Sequence, residues 1–437
     1  MESATEAVKR RAKTVPARRW AVVAGLFSLS MLTIVDRVAI SAAKADMSRD
    51  LGLSDVTFGL IFGSFALGYA LFQIPAGYFA DRFGPRRVVT AVVVAWSLLT
   101  TTTAMVRGAA LLIGVRFLFG AAEAGAFPAS ARAIRSWLPV RETGIAQGVL
   151  FGGSRLGAAF GLTLVSWMVA WLNWRAPFFI LGAAGIVWVT AWLFWFRNTP
   201  EEDRGVSEAE RAYIQAGRAD PPQAPGAGWT SVFRYRETVP LLLQYFASNF
   251  TFFLCYSWLL PYLRDRYQLG VAAAGLYAAV PLYCGAAANW VSGAAVDTLY
   301  RRNWGRLSRI LPATAGFLLG AAALVGAVHA ATVTGAVACF AVATFGVDLA
   351  ISPSWTLCID IAGDRTGTLS GAMNMVGNIG SFVSSVAFPL LLRWTGASDA
   401  YFYCAAAINL VAAGLWVAMR ERGADHRFPW SANGDAG

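Results

Sequence analysis

Residues 77–87 read Gly77-Tyr78-Phe79-Ala80-Asp81-Arg82-Phe83-Gly84-Pro85-Arg86-Arg87. This charged stretch joins one apolar run, 56–80, to another, 87–106, and leaves room only for a tight turn between them. Gly84 and Pro85 are the residues that make such a turn. An echo stands in the second half of the chain. Gly293-Ala294-Ala295-Val296-Asp297 closes the run 272–296, and Arg301-Arg302 follows. A second correspondence is stronger. Gly144, Gly148 and Gly157 recur at a constant offset as Gly367, Gly371 and Gly380. Two matches at nearly one offset mark a duplicated chain whose halves run in parallel order.

The rest of the sequence says what those halves are made of. Of 437 residues, 57% are hydrophobic and only 14% are charged, too few charges to cover a soluble protein of this length. About 20 apolar residues cross about 30 Å of hydrocarbon. Twelve runs qualify: 20–42, 56–80, 87–106, 109–131, 145–170, 176–196, 240–263, 272–296, 308–328, 332–356, 368–392 and 399–419. Backbone groups in lipid must be satisfied within the segment, and runs this long and uniform do that as helices. The expected fold is therefore an all-α membrane protein with twelve transmembrane helices in two pseudo-symmetric six-helix bundles.

The expected organisation is a basic N-terminal tail at 1–19, a first bundle at 20–197, a linker at 198–239, a second bundle at 240–420 and a tail at 421–437. The linker carries Glu201, Glu202, Asp203 and the breaker-rich run Pro221-Pro222-Gln223-Ala224-Pro225-Gly226. The net charge of +11 does not point to nucleic acid. Most Lys and Arg fall in loops on one side, the side of both tails and the linker, so both termini are expected in the cytoplasm. The basic N-terminal tail suits anionic lipid head groups. No cleavable leader is expected, because the first apolar run is long enough to remain as a span. The five cysteines lack metal or redox spacing, and no zinc, haem or nucleotide-binding pattern occurs. No nucleophile–base constellation is visible, so no cofactor is expected and the chain is not read as an enzyme.

Gly77-x-x-x-Asp81-Arg82-x-Gly84-x-Arg86-Arg87 resembles the loop signature between helices two and three of the major facilitator superfamily, and Arg116-x-x-x-Gly120 is similar to its second motif. Within it the chain resembles the anion:cation symporter family, on Asp36-Arg37, Gly68-Tyr69 with Gln73-x-Pro75, Arg116 with Glu123, and Ser370-Gly371-x-x-Asn374-x-x-Gly377-Asn378-x-Gly380. The resemblance implies a monomeric secondary transporter in the plasma membrane, here a bacterial inner membrane, moving a small organic anion by alternating access. It implies Arg37 as the substrate-carboxylate ligand and Asp36 and Glu123 as proton sites. Sugar-acid members place a tyrosine two residues before the span-one acid. Ile34 stands there instead, which points to a smaller or more apolar carboxylate.

The residues support this reading independently. An ionisable side chain at mid-membrane costs roughly 2.5–3.5 kcal/mol on insertion scales, so it marks a cavity or a pathway. The first half holds Asp36, Arg37, Arg116, Glu123 and Arg155, a surplus of one positive charge when all are ionised. Such a cavity favours an anion. It opposes the competing reading, export of hydrophobic or cationic compounds by proton antiport on the same fold.

The Arg37 guanidinium can hold a carboxylate through two parallel bonds. Glu123 shares a helix face with Arg116, two turns away, and is the expected coupling acid. A proton or a sodium ion can serve it, with the proton expected. Arg155 offers a second anion contact or a snorkelling charge. Tyr69, Tyr256, Asn374 and Asn378 are expected at the substrate. Asp348 has no partner evident in sequence and is open as a second-half cation or proton site. Asp81, Arg82, Arg86 and Arg87, with Asp297 and Arg301, are expected as gating and structural elements.

Overall fold

A computed structural model describes residues 18–218, 229–254 and 258–421. Among these the regular elements are helices. In the first half they are α1 (Arg18–Leu51), α2 (Asp55–Phe83), α3 (Pro85–Met105), α4 (Ala109–Glu123), α5 (Ala126–Trp137), α6 (Thr143–Trp171) and α7 (Ala176–Trp195). A short α8 (Glu208–Ala216) follows in the connecting segment. The second half contains α9 (Thr238–Phe253), α10 (Leu259–Tyr267), α11 (Val271–Arg301), α12 (Leu307–Val328), α13 (Val333–Leu349), α14 (Ile351–Ala362), α15 (Thr366–Thr395) and α16 (Asp399–Glu421). With the pairs α4/α5, α9/α10 and α13/α14 each taken as one span, the order is two sets of six, the twelve of the expected fold.

Two of those spans break for the same reason. Pro128 and Pro353 lack an N–H and crowd the carbonyl one turn earlier. The chain accordingly leaves α-helical bonding at 124–125 and at 350. It resumes equivalently, with Ala129 N–H donating to Gly125 at 3.0 Å and Ser354 N–H to Ala350 at 3.1 Å. Each break follows an acid, Glu123 or Asp348, that stands five residues before its proline.

The halves meet along two seams built from glycine. In one, α2 runs against α15, and a Cβ on Gly77 would fall 2.1 Å from the Gly367 carbonyl oxygen. In the other, α6 runs against α11. There a Cβ on Gly148 would fall 2.3 Å from the Asn289 oxygen, and one on Gly293 would fall 2.6 Å from the Gly144 oxygen. Backbones this close exclude any side chain.

The seams lie at the end of the molecule that carries Asp81 and Asp297, which is also its basic end. One apolar core there joins the halves, running from Val22 and Trp96 to Trp355 and Trp416. Toward the opposite end the cores separate. Val35, Met47, Phe58 and Phe178 belong to a core of the first half alone. Phe250, Leu263, Phe340 and Phe402 belong to a core of the second half alone. The halves are therefore sealed at the basic end and packed separately at the other.

Candidate functional site

Above the sealed end, α1 and α4 bring four charged residues together against aromatic rings of α2. Arg37 Nη2 lies 3.2 Å from Glu123 Oε2. The Arg37 guanidinium also lies 4.5 Å from the Tyr69 ring centre and 5.1 Å from that of Phe65. Arg116 is buried between Phe65, at 4.9 Å, and Phe119, at 4.6 Å. Glu123, Arg37 and Asp36 are its electrostatic neighbours. Asp36 is buried beside Trp96 and faces Glu123 and Arg116. Asp36 and Arg37 leave α1 in different directions, yet both reach this cluster, because Glu123 lies between them. Aromatic faces support the two guanidiniums by cation–π contact, with Arg116 buried and Arg37 partly exposed.

Arg155, on α6, has a partner in the other half. Its Nε donates to Asp348 Oδ2 at 2.8 Å and its Nη2 to Asp348 Oδ1 at 2.7 Å. This bidentate pair points Arg155 across to the other half rather than toward a helix end, and in this form its anion contact is the Asp348 carboxylate. Asp348 now has the partner that sequence could not supply. Its side chain is fully buried and accepts a further bond from Asn289 Nδ2 at 3.3 Å. Space for it comes from Gly285, where a Cβ would stand 2.4 Å from Oδ2. Phe252 covers the outer face of Arg155 at 3.6 Å.

A neutral contact lies between the two charged ones. Asn374 Nδ2 donates to the Tyr69 hydroxyl at 3.2 Å, from α15 to α2. Asn378 turns back to the Asn374 carbonyl at 2.7 Å. Tyr245 is in electrostatic reach of both Arg155 and Tyr69, and its hydroxyl accepts from Trp355 Nε1 at 2.9 Å. Tyr256 lies outside the described residues. Sequence reading missed Phe65, Tyr245, Phe252 and Asn289. Phe65 stands one turn from Tyr69 on the same helix face, which is a usable signal. The other three had none, since their role depends on the opposite half.

Three arginines thus face three acids: Arg37, Arg116 and Arg155 against Asp36, Glu123 and Asp348. The surplus positive charge expected from sequence disappears once Asp348 is counted. With all six ionised the centre is neutral.

The gating candidates divide. Asp81 accepts from Gly367 N–H at 2.8 Å, and from the N–H and hydroxyl of Thr368, each at 2.7 Å. Asp297 accepts from Gly144 N–H at 2.9 Å and Ile145 N–H at 2.8 Å. Each aspartate caps a helix of the other half. Arg301 Nη2 also crosses, to the Arg141 carbonyl at 3.4 Å. Arg82, Arg86 and Arg87 do not cross in this way. Arg82 reaches Tyr78 on its own helix, Arg86 ties to Asn198 and Leu193 of its own half, and Arg87 is exposed. Arg132 and Arg135, not singled out from sequence, do cross, and both reach Asp364.

Comparison with known proteins agrees with this architecture. The family model described as Major Facilitator Superfamily matches residues 26–385. The probable sulfoacetate transporter SauU of Cupriavidus necator is 31% identical over 407 residues, which cover 92% of this chain and 93% of that protein. The D-galactonate transporter of Escherichia coli is 29% identical, over 89% of this chain and 93% of its own. Among solved structures, the proton:xylose symporter XylE superposes with a TM-score of 0.73 at 15% identity, covering 93% of this chain and 96% of that one.

Proposed function

Because this chain belongs to the major facilitator superfamily, and is a multi-pass membrane transporter rather than an enzyme, we propose that it takes up an organic anion in symport with a proton by alternating access. The observation that carries the reading is the Arg37–Glu123 pair at 3.2 Å, in which we take Arg37 as the substrate ligand and Glu123 as the proton acceptor. A carboxylate and a substrate anion compete for one guanidinium. Protonating Glu123 weakens its hold on Arg37 and gives that side chain to the substrate. Deprotonation on the other side restores the pair and expels the anion. Substrate and proton therefore load together, which is the logic of symport.

The named relatives carry acids, a sulfoacetate and a galactonate, and this supports an acid cargo here. The cargo is a carboxylate, a sugar acid or another mono- or dicarboxylate. Asp36 adds a second buried carboxylate against Arg116 and is the companion proton site. Tyr69, Asn374 and Asn378 provide neutral donors and acceptors for the rest of the substrate.

The basic end is the cytoplasmic one, in keeping with the excess of Arg and Lys in its loops, and both termini lie there, in a bacterial inner membrane. The form described is then sealed inside and receives substrate from outside. Rocking the halves about the central site exchanges the openings. The protein works as a monomer, since each half supplies part of one site.

Proteoliposome flux tests the reading. Labelled organic acids should accumulate when the outside is acidic, and accumulation should vanish in Arg37→Ala. Export of a lipophilic cation that ignores this substitution would show the antiport reading to be right.

A further inference from the structure

The two proline breaks relate Glu123 to Asp348. Each acid precedes the break in the fourth span of its half, and each stands five residues before the proline that causes it. Each also faces an arginine of the first half, Glu123 facing Arg37 and Asp348 facing Arg155. The duplication has therefore produced two acid–arginine pairs, one at each side of the Tyr69–Asn374 contact. Arg155 sits about 16 Å along α6 from Gly144 at the sealed end, near the middle of an about 30 Å membrane core. Its side chain keeps 15% of its surface exposed, whereas that of Asp348 keeps none. The arginine is thus the reachable member, and the acid is the fixed one behind it.

We infer that Arg155 and Asp348 form a second anion subsite, in which Asp348 is a built-in occupant that the second anionic group of a two-headed substrate displaces. The inference rests on the transporter reading, with Arg37 holding the first group. Asp348 already presents to Arg155 the two oxygens that a carboxylate or sulfonate would present, so the fork geometry is that of an anion site. An internal competitor sets a threshold. A monoanion held at Arg37 has nothing to offer Arg155 and leaves the pair closed. A dianion of suitable length engages both arginines and opens it. Because the pair joins α6 of one half to α13 of the other, opening it also loosens a contact between the halves. Recognition of the second charge is thereby tied to the rocking motion, and the site selects for charge number as well as shape.

The test is binding of succinate and of butyrate, acids of equal carbon number, to purified full-length protein by calorimetry. The wild type should bind succinate at least tenfold more tightly. Arg155→Gln should remove that preference by weakening succinate tenfold or more, with butyrate changed less than twofold. Asp348→Asn removes the competitor and should strengthen succinate binding severalfold, again with little change for butyrate. Arg155→Lys should recover only part of the preference, because an ammonium lacks the fork. The inference is overturned if the wild type shows no preference, if Arg155→Gln weakens both acids equally, or if Asp348→Asn weakens succinate. Should Arg155→Gln fail to fold, Asp348→Asn decides alone. An Arg37→Ala protein that loses both acids while the Arg155 variants leave their ratio intact would keep the transporter reading and remove the second subsite.

Discussion

Asp81 and Asp297 do equivalent work on opposite seams: each carboxylate accepts the first free backbone N–H groups of a helix in the other half. A helix leaves its first N–H groups unsatisfied, and its N-terminus is the positive end of its dipole, so an aspartate there is both a cap and a charge complement. In the proposed rocking of the halves, the two caps favour the form sealed at the basic end. Replacing Asp297 with Ala removes about 1–2 kcal/mol of that bias and shifts the population roughly 5–30-fold toward opening. Spin-label distances across the basic end should lengthen in Asp297→Ala, and likewise in Asp81→Ala. An unchanged distance distribution in both would show that the caps do not hold the seal.

Glu123→Gln should separate exchange from accumulation. The amide keeps the shape but cannot release a proton, and it holds Arg37 less strongly than a carboxylate. Substrate counterflow should therefore persist, while uptake driven by an acid exterior should disappear. Arg37→Lys should act differently, lowering affinity about 10–100-fold because the ammonium keeps the charge but loses the fork that holds both carboxylate oxygens. Full proton-driven accumulation in the Glu123→Gln protein would locate the coupling elsewhere.

Gly77→Ala tests the seam itself. The added carbon would meet the Gly367 carbonyl oxygen at 2.1 Å, where backbone rather than a movable side chain stands. The helices must part, at an overpacking cost of about 1–3 kcal/mol. The sealed form should lose population and uptake should fall. Gly59→Ala, with nothing within 4 Å of the new carbon, is the matched control and should transport normally.

The connecting segment supplies a pH test outside the membrane. Partial burial pushes the Glu201 carboxyl up, but the Gln215 amide, local backbone and hydroxyl donors and Arg218 outweigh it and hold the group at about 2. Its folded value is thus below the unfolded one near about 4.3. The stabilisation is complete above the unfolded value and is lost as pH falls toward about 2. Arg218 also donates to the Ser136 carbonyl at 2.6 Å, so Glu201 steadies an arginine that fastens this segment to α5. Proteolysis next to α8 should speed up between pH 4.5 and 2 in the wild type. Glu201→Gln should be cleaved faster already at pH 6, with a flatter profile.

The sequence made the spans and the duplication legible because both are one-dimensional signals, apolar length and glycine spacing. Arg37, Arg116 and Glu123 were legible because a charge in an apolar run is conspicuous by itself. The partner of Asp348 was not, since Arg155 lies 193 residues away on the other half and no local pattern joins them. That omission gave the cavity a charge it lacks. The relation of Asp348 to Glu123 was present in the sequence as two acid-to-proline spacings, but those spacings gained meaning only once both prolines were seen to break a span. Asp81 was recognised by its motif, whereas its target, the first turn of α15, depended on how the halves meet. Arg82 and Arg86 belong to the same motif, yet their hydrogen bonds run to Tyr78, Leu193 and Asn198 and do not reach the second half.

The glycine seams have a kinetic meaning. Residues without side chains have no rotamers to freeze, whereas each long side chain ordered at an interface costs up to about 2 kcal/mol of entropy. Closing two such backbone tracks therefore demands little ordering, and opening them liberates little. In the proposed rocking of the halves, the discrete clasps between them are the two aspartate caps, Tyr69 with Asn374 and Arg155 with Asp348. A switch of this kind has its timing written in single polar residues and in the one apolar core that joins the halves at the basic end, not in the glycine tracks themselves.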